Sequence, residues 1–148
     1  MRKVTLLFIS LFLTFSYTLS YAQSKADDVV GLWLTHNKDG KIEVYKKGNK
    51  YFGKVRWGVT VYDKNGNLTK DVKNPDKNLR EQTLLGLNVL KNFIFNGEDT
   101  WEGGSVYDPT TGKTYKCLMK VKGGKLHVTG YIGFSWIGKT VVWSRINE

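Results

Sequence analysis

The sequence predicts an all-β protein: a single antiparallel up-and-down β-barrel of about eight strands. Three observations point there. The chain has 148 residues, enough for one core and not two. It carries 16 Gly, 8 Tyr and 5 Trp but only 2 Pro, a balance that suits β-structure with tight turns better than a helical bundle. Short runs of alternating apolar and polar residues recur along it, separated by turn-forming pairs. Even spacing with local connections argues for neighbouring antiparallel strands. A sheet of about eight strands that closes leaves room for packed side chains or one small ligand.

The elements follow in order. Residues 23–28 are polar and precede the first strand, Val29 to His36 (VVGLWLTH). Lys38-Asp39-Gly40 is a turn signal. Lys41 to Lys46 sets Ile42 and Val44 against Glu43 and Tyr45, and Gly48-Asn49 turns the chain again. Lys50 to Tyr62 places Tyr51, Val55 and Trp57 on one face, with Lys54 and Arg56 on the other. Residues 63–82 (DKNGNLTKDVKNPDKNLREQ) break the alternation and form the longest polar stretch, and connections of that length are usually functional or mobile. Thr83 to Phe95 suits a strand or a short helix, with strand favoured because Phe93 and Phe95 alternate. Trp101 to Tyr107 follows the Asn96-Gly97 turn. Asp108-Pro109-Thr110-Thr111-Gly112 is a strong turn, with Pro presetting φ and Gly taking a positive one. Lys113 to Val121 alternates Tyr115, Cys117, Met119 and Val121 against Thr114, Lys116 and Lys120. Gly123-Gly124 leads to the last two strands, Lys125 to Phe134 and Lys139 to Ile146.

Residues 1–22 are expected to lie outside this domain. Arg2 and Lys3 precede sixteen uncharged residues, 4–19, and Ser20-Tyr21-Ala22 completes a signal-peptide pattern with cleavage after Ala22. The run is short for a membrane span, which needs about 20 residues, and no second apolar run follows. The domain is thus 23–148, exported to the periplasm or secreted, with no transmembrane segment in the mature chain. Losing Arg2 and Lys3 leaves 21 basic against 13 acidic residues, a net charge of +8. In an exported protein that charge points to an anionic envelope component rather than nucleic acid.

Catalytic and metal chemistry find little support. One Cys and two His rule out an ordinary zinc site of those residues, and no cofactor is implied. Asp63, Asn65, Asn67 and Asp71 superficially resemble a calcium loop. That loop needs Gly at its sixth position and Glu at its twelfth, whereas Gly66 stands fourth and Asn74 twelfth. Glu102 and Asp108 would share a strand face about 20 Å apart, beyond the ~10 Å of glycoside chemistry. Cys117 reads as a buried inert thiol. Nucleophile elbows, phosphate loops and nucleotide fingerprints are absent.

Gly31-x-Trp33 opens the first strand and Arg145 lies near the end of the last, after Trp143. In a closed barrel those strands are neighbours, and a guanidinium can stack on the indole to close one end. In this pairing the chain resembles the lipocalin and fatty-acid-binding-protein superfamily. A wider resemblance rests on Gly31-x-Trp33, Asp71-x-x-Asn74-Pro75, Gly86-Leu87, Trp101-x-Gly103-Gly104-x-x-Tyr107-Asp108-Pro109-x-x-Gly112-x-x-Tyr115, Gly130-Tyr131-x-Gly133, Gly138 and Trp143-x-Arg145. On these stretches residues 31–145 resemble a bacterial exported family, domain of unknown function 2147. The resemblance implies export and a lipocalin-like barrel, and carries over no catalytic residue. Family members often have Cys near the positions of Gly53 and Gly86. Here Phe52 and Leu85 stand there, so a disulfide of that kind is absent.

The expected site is therefore a binding site without catalysis. Its candidate contacts are Trp57, Asp71, Asn74, Arg80, Trp101, Tyr107 and Tyr115, with Gly31, Trp33 and Arg145 assigned to barrel closure. Asp71, Asn74 and Arg80 read either as a polar site at the barrel mouth or as turn chemistry around Asn74-Pro75. Gly103-Gly104 reads as a ligand approach or as a bulge that curls the sheet. The leading reading is a binding module for a small apolar or amphipathic molecule such as a lipid. The alternative is an envelope structural or interaction protein whose barrel the five tryptophans fill. Interior volume separates the two.

Overall fold

The computed structural model describes residues 25–131 and 138–147. Residues 1–22, expected from the sequence to be a signal peptide, and Gly133, Phe134 and Trp136 lie outside the described residues. Eight strands follow one another in a closed antiparallel barrel: β1 (Gly31–Leu34), β2 (Gly40–Lys47), β3 (Lys50–Gly58), β4 (Asn88–Phe95), β5 (Thr100–Asp108), β6 (Lys113–Lys122), β7 (Lys125–Tyr131) and β8 (Gly138–Ile146). Closure is made by β1 and β8, with Trp33 opposite Arg145 in register. Short 3-10 turns span Asp27–Val29 and Lys77–Leu79.

Strand limits depart from the sequence expectation where the backbone is bent. β3 stops at Gly58 because the Val59 N–H donates to the Asp39 carbonyl and the Val61 N–H turns back on Gly58. β4 begins at Asn88 rather than Thr83. Gly86, at φ +81°, and Leu87 instead exchange backbone hydrogen bonds with Val55, so Leu84 and Leu87 bury their side chains without joining the ladder. Gly103 sits at φ +73° where the β5–β6 register shifts between Trp101 and Gly104. That is the expected bulge, an extra residue that increases local twist.

The barrel interior is unevenly filled. At the end where β1 starts, Trp33, Tyr51, Phe93, Trp101, Met119 and Leu126 are almost completely buried. Two glycines make that density possible. A Cβ on Gly104 would lie 2.5 Å from the Phe93 ring, and one on Gly53 would lie 2.8 Å from Leu90. The Asp27–Val29 turn seals this end: the indoles of Trp33 and Trp101 donate to the carbonyls of Val29 and Ala26 at 2.8 and 2.9 Å. Tyr51 and Lys46 both reach the Asp27 carboxylate, at 2.9 and 3.0 Å.

The opposite end is less filled. The long connection, residues 59–87, lies there with the β1–β2 and β5–β6 turns. It is ordered by its own hydrogen bonds. Isolated bridges pair Tyr62 with Leu68 and Lys70 with Thr83, and the Asp71 N–H donates to the Gln82 carbonyl.

Candidate functional site

At this second end the barrel contains a cavity of about 320 Å³, within the range of small-molecule sites. Five strands and the long connection build it, with Val89 the contribution of β4. β2 and β3 contribute Ile42, Val55 and Trp57; β5 contributes Val106; β8 contributes Trp143; and the connection adds Val61 and Leu84. Strand alternation explains the selection, since Ile42, Val106 and Trp143 sit at inward positions of their strands. Trp57 stands at the rim with 41% of its surface exposed, whereas Trp143 is 7% exposed and deeper. A further inward position is empty. Among the described residues, a Cβ on Gly130 would meet only the Val106 side chain, at 3.9 Å.

The polar groups of the lining are mostly engaged. The Thr35 hydroxyl donates to Asp39 at 2.6 Å. Asp108 accepts from the Thr110 N–H at 2.9 Å, the Thr111 hydroxyl at 2.8 Å and the Thr110 hydroxyl. Burial alone would push the Asp108 carboxyl up, but these bonds outweigh it and hold it below the ordinary carboxylate range. Asp39 and Asp108 are the charged side chains of the lining; among the described residues it holds no Lys or Arg.

Asp71 is buried beside the cavity. Its carboxylate accepts from the Tyr107 hydroxyl at 2.7 Å and from the Asn74 amide at 2.8 Å. Arg80 donates to the Asn74 carbonyl at 2.8 Å, and Lys73 to the Thr110 carbonyl at 2.5 Å. Burial and then the bond to Asp71 push the Tyr107 phenol up to about 12. A Cβ on Gly112 would fall 2.1 Å from the Lys73 carbonyl oxygen, and Gly112 has φ +72°, so a glycine is required where the connection crosses the β5–β6 turn. These contacts fasten residues 71–80 to β5. Their polar atoms face one another rather than the cavity.

The residues expected to contact a ligand are therefore divided. Trp57 and Tyr107 line the cavity. Asp71, Asn74 and Arg80 form the fastening beside it. Trp101 is at the sealed end, its ring 4.9 Å from Phe95. Tyr115 is half-buried opposite Val106 on β6 and is not part of the lining. Sequence reasoning missed Ile42, Val55, Val61 and Leu84 as lining, because apolar residues of a strand look alike whether the space before them is filled or empty. Trp143 was expected beside Arg145 and among the five tryptophans that could fill the barrel, not among the ligand contacts.

The residues assigned to closure do meet. The Arg145 guanidinium lies 4.1 Å from the centre of the Trp33 ring and donates to the carbonyls of Val30, at 2.8 Å, and Asp28. A Cβ on Gly31 would stand 2.5 Å from that guanidinium. The thiol of Cys117 is buried, and desolvation pushes it up to about 12, which removes thiolate character. Groups of three or more metal-ligating side chains are absent among the described residues.

A family model described as "Uncharacterized protein conserved in bacteria (DUF2147)" matches residues 31–145. The fold is similar to the solved structure of Protein HP1028 from the human pathogen Helicobacter pylori, described as belonging to the lipocalin family. The TM-score is 0.70 at 25% sequence identity, over 81% of this chain and 84% of that one. No curated protein gives a significant match.

Proposed function

This chain belongs to the DUF2147 family of bacterial proteins, and we propose that it is an exported, non-enzymatic binding module that holds one small, uncharged, largely apolar molecule in the mouth of its lipocalin-like barrel. The observation that carries this reading is the cavity of about 320 Å³ in a barrel otherwise tightly packed. The cavity opens to solvent at the rim by Trp57, and an apolar concavity of that size is where small ligands commonly bind. Burial of apolar ligand surface against Ile42, Val55, Val106 and Trp143 supplies affinity at about 25 cal/mol per Å² before the costs of association.

The lining also argues for ligand charge. A carboxylate or phosphate brought into it would find Asp39 and Asp108 and no cation among the described residues. Unpaired burial of an anion is costly, so a fatty-acid headgroup would have to remain outside. Export is supported by the pattern of residues 1–22 and a basic mature chain of net charge +8. The absence of enzyme activity is supported by the inert Cys117 and by the internal engagement of Asp71 and Asp108.

The test is a fluorescence titration of the mature protein with neutral N-phenylnaphthylamine and with anionic anilinonaphthalene sulfonate. The neutral probe should saturate at one per chain and bind about tenfold tighter than the anionic one. Gly130→Leu, which adds a side chain where the interior is open, should abolish that binding without loss of fold. Equal binding of the neutral probe to Gly130→Leu and wild type would overturn the proposal and leave an envelope structural or interaction protein.

A further inference from the structure

We propose that the outer wall formed by β6, β7 and β8 binds a linear acidic polysaccharide, a chain of carboxylate-bearing sugars. The inference goes beyond the cavity reading and does not depend on it, since this wall is the outside of the barrel. The positive charge of the chain is unevenly placed. Residues 23–108 hold 14 basic and 12 acidic residues, whereas residues 109–147 hold six Lys, one Arg and no Asp or Glu. The strands of that second stretch, β6, β7 and β8, are consecutive and pair with one another, so they form one continuous wall. One sign of charge gathered on one face is the electrostatic footprint of an oppositely charged partner.

Strand alternation turns the lysines outward. Cys117, Met119, Leu126 and Val128 are buried, so Lys116, Lys120 and Lys122 of β6 and Lys125 of β7 take the outer face. From Lys116 to Lys122 the row runs about 20 Å along β6. Lys122 stands directly opposite Lys125, and Lys120 opposite His127. Like charges set opposite each other cost stability, so the sheet itself does not call for them. The nearby carboxylates belong to the borders of the wall. Asp99, in the β4–β5 turn, reaches Lys120 at 3.2 Å and feels the charge of Lys122. Asp108 stands opposite Lys113 and accepts from Thr110 and Thr111. Glu102 is on β5, and Asp28 is in the turn before β1. Lys116, Lys122 and Lys125 form no ion pair among the described residues.

The make-up of the wall selects among polyanions. Its outward cations are all Lys, hydrated point charges, whereas recognition of phosphates and nucleic acid favours the planar fork of Arg. The exposed large apolar side chains of the described residues stand elsewhere, on β3, β4 and the connection. The described wall thus offers neither an apolar wedge to enter a bilayer nor an exposed aromatic platform for bases. Hydroxyls accompany the lysines instead: Thr129 and Thr140 lie across from each other with their oxygens 2.7 Å apart, and Thr114 is exposed. Carboxylates to meet the lysines and hydroxyls to meet the threonines are the groups that an acidic polysaccharide repeats along its length.

The experiment is surface plasmon resonance of the mature protein over immobilised polygalacturonate, with duplex DNA on a parallel channel. Wild type should bind polygalacturonate at about 50 mM salt, more tightly than DNA, and lose most of that binding at about 200 mM. The triple variant Lys116→Gln, Lys122→Gln, Lys125→Gln should lose about tenfold in affinity. A second triple variant, Lys64→Gln, Lys77→Gln, Lys91→Gln, removes the same charge from exposed positions off this wall and should stay within about twofold of wild type. Both variants should keep the melting temperature and the N-phenylnaphthylamine binding of wild type. Three results would overturn the proposal: no binding to polygalacturonate at the lower salt, equal loss in the two variants, or duplex DNA bound as tightly as the polysaccharide. Loss of probe binding with polygalacturonate binding intact would count against the cavity reading alone.

Discussion

Arg145→Ala should destabilise the barrel by about 1.5–3 kcal/mol, and the structure shows where that comes from. The guanidinium stacks on Trp33 at 4.1 Å and donates to two carbonyls of the chain entering β1. A stack at an exposed site contributes about 0.5–1 kcal/mol, and each hydrogen bond about 0.5–1 kcal/mol when partly solvated. The Arg stem also covers an indole that is completely buried. For a domain of this size 1 kcal/mol lowers the midpoint by roughly 3–5 °C, so the expected drop in Tm is about 5–15 °C. Arg145→Lys should recover less than half, since an ammonium neither stacks flat nor bridges two acceptors. Gly31→Ala should cost less in the Arg145→Ala background than alone, because one of its two penalties is the approach of its Cβ to this guanidinium; the other, φ +139°, remains. Differential scanning calorimetry of wild type, the three single variants and the double variant reads these differences. An Arg145→Ala midpoint within about 2 °C of wild type would refute the reasoning.

Three further outcomes are expected. Asp71→Ala should lose about 2–4 kcal/mol in urea unfolding, because it strands the Tyr107 hydroxyl and the Asn74 amide where both are buried; a loss below 1 kcal/mol would show that water replaces the carboxylate. The raised Tyr107 phenol means that the folded chain keeps a proton that the unfolded chain releases, so its contribution is full below about pH 10 and disappears as pH rises to about 12. Over that interval Tyr107→Phe should lose less stability than wild type, and parallel curves would contradict the assignment. Cys117 should resist a thiol reagent at pH 8 in the native protein and react on unfolding; rapid native labelling would place the thiol at the surface.

The architecture was legible in the sequence because strands and turns announce themselves locally. Alternation at Lys41–Lys46 and Lys113–Val121 and the turn glycines 48, 97, 112 and 123 suffice to mark most of the strands. The closure contact was legible too, since Gly31, Trp33 and Arg145 stand at the two ends that must meet. The cavity was not. Its existence depends on how Phe93 and Leu90 fill the barrel against Gly104 and Gly53, and on Gly130 leaving space across from Val106, which are distances between strands far apart in sequence. Trp57 alternates with Tyr51 and was expected on the same apolar face; it is on that face, but at the rim. The connection 63–82 reads as polar and therefore open. Its two buried polar residues, Asp71 and Asn74, are satisfied by partners that only the fold brings near.

The central claim is that the cavity at the barrel mouth is occupied by an uncharged apolar molecule. Native mass spectrometry of wild type and Gly130→Leu protein, each purified from the cell envelope of its own producer without detergent, tests it most directly. The account predicts one added mass per wild-type chain, released as a neutral molecule on activation, and its absence from Gly130→Leu. A bare wild-type chain, or an adduct retained equally by the filled variant, would contradict it.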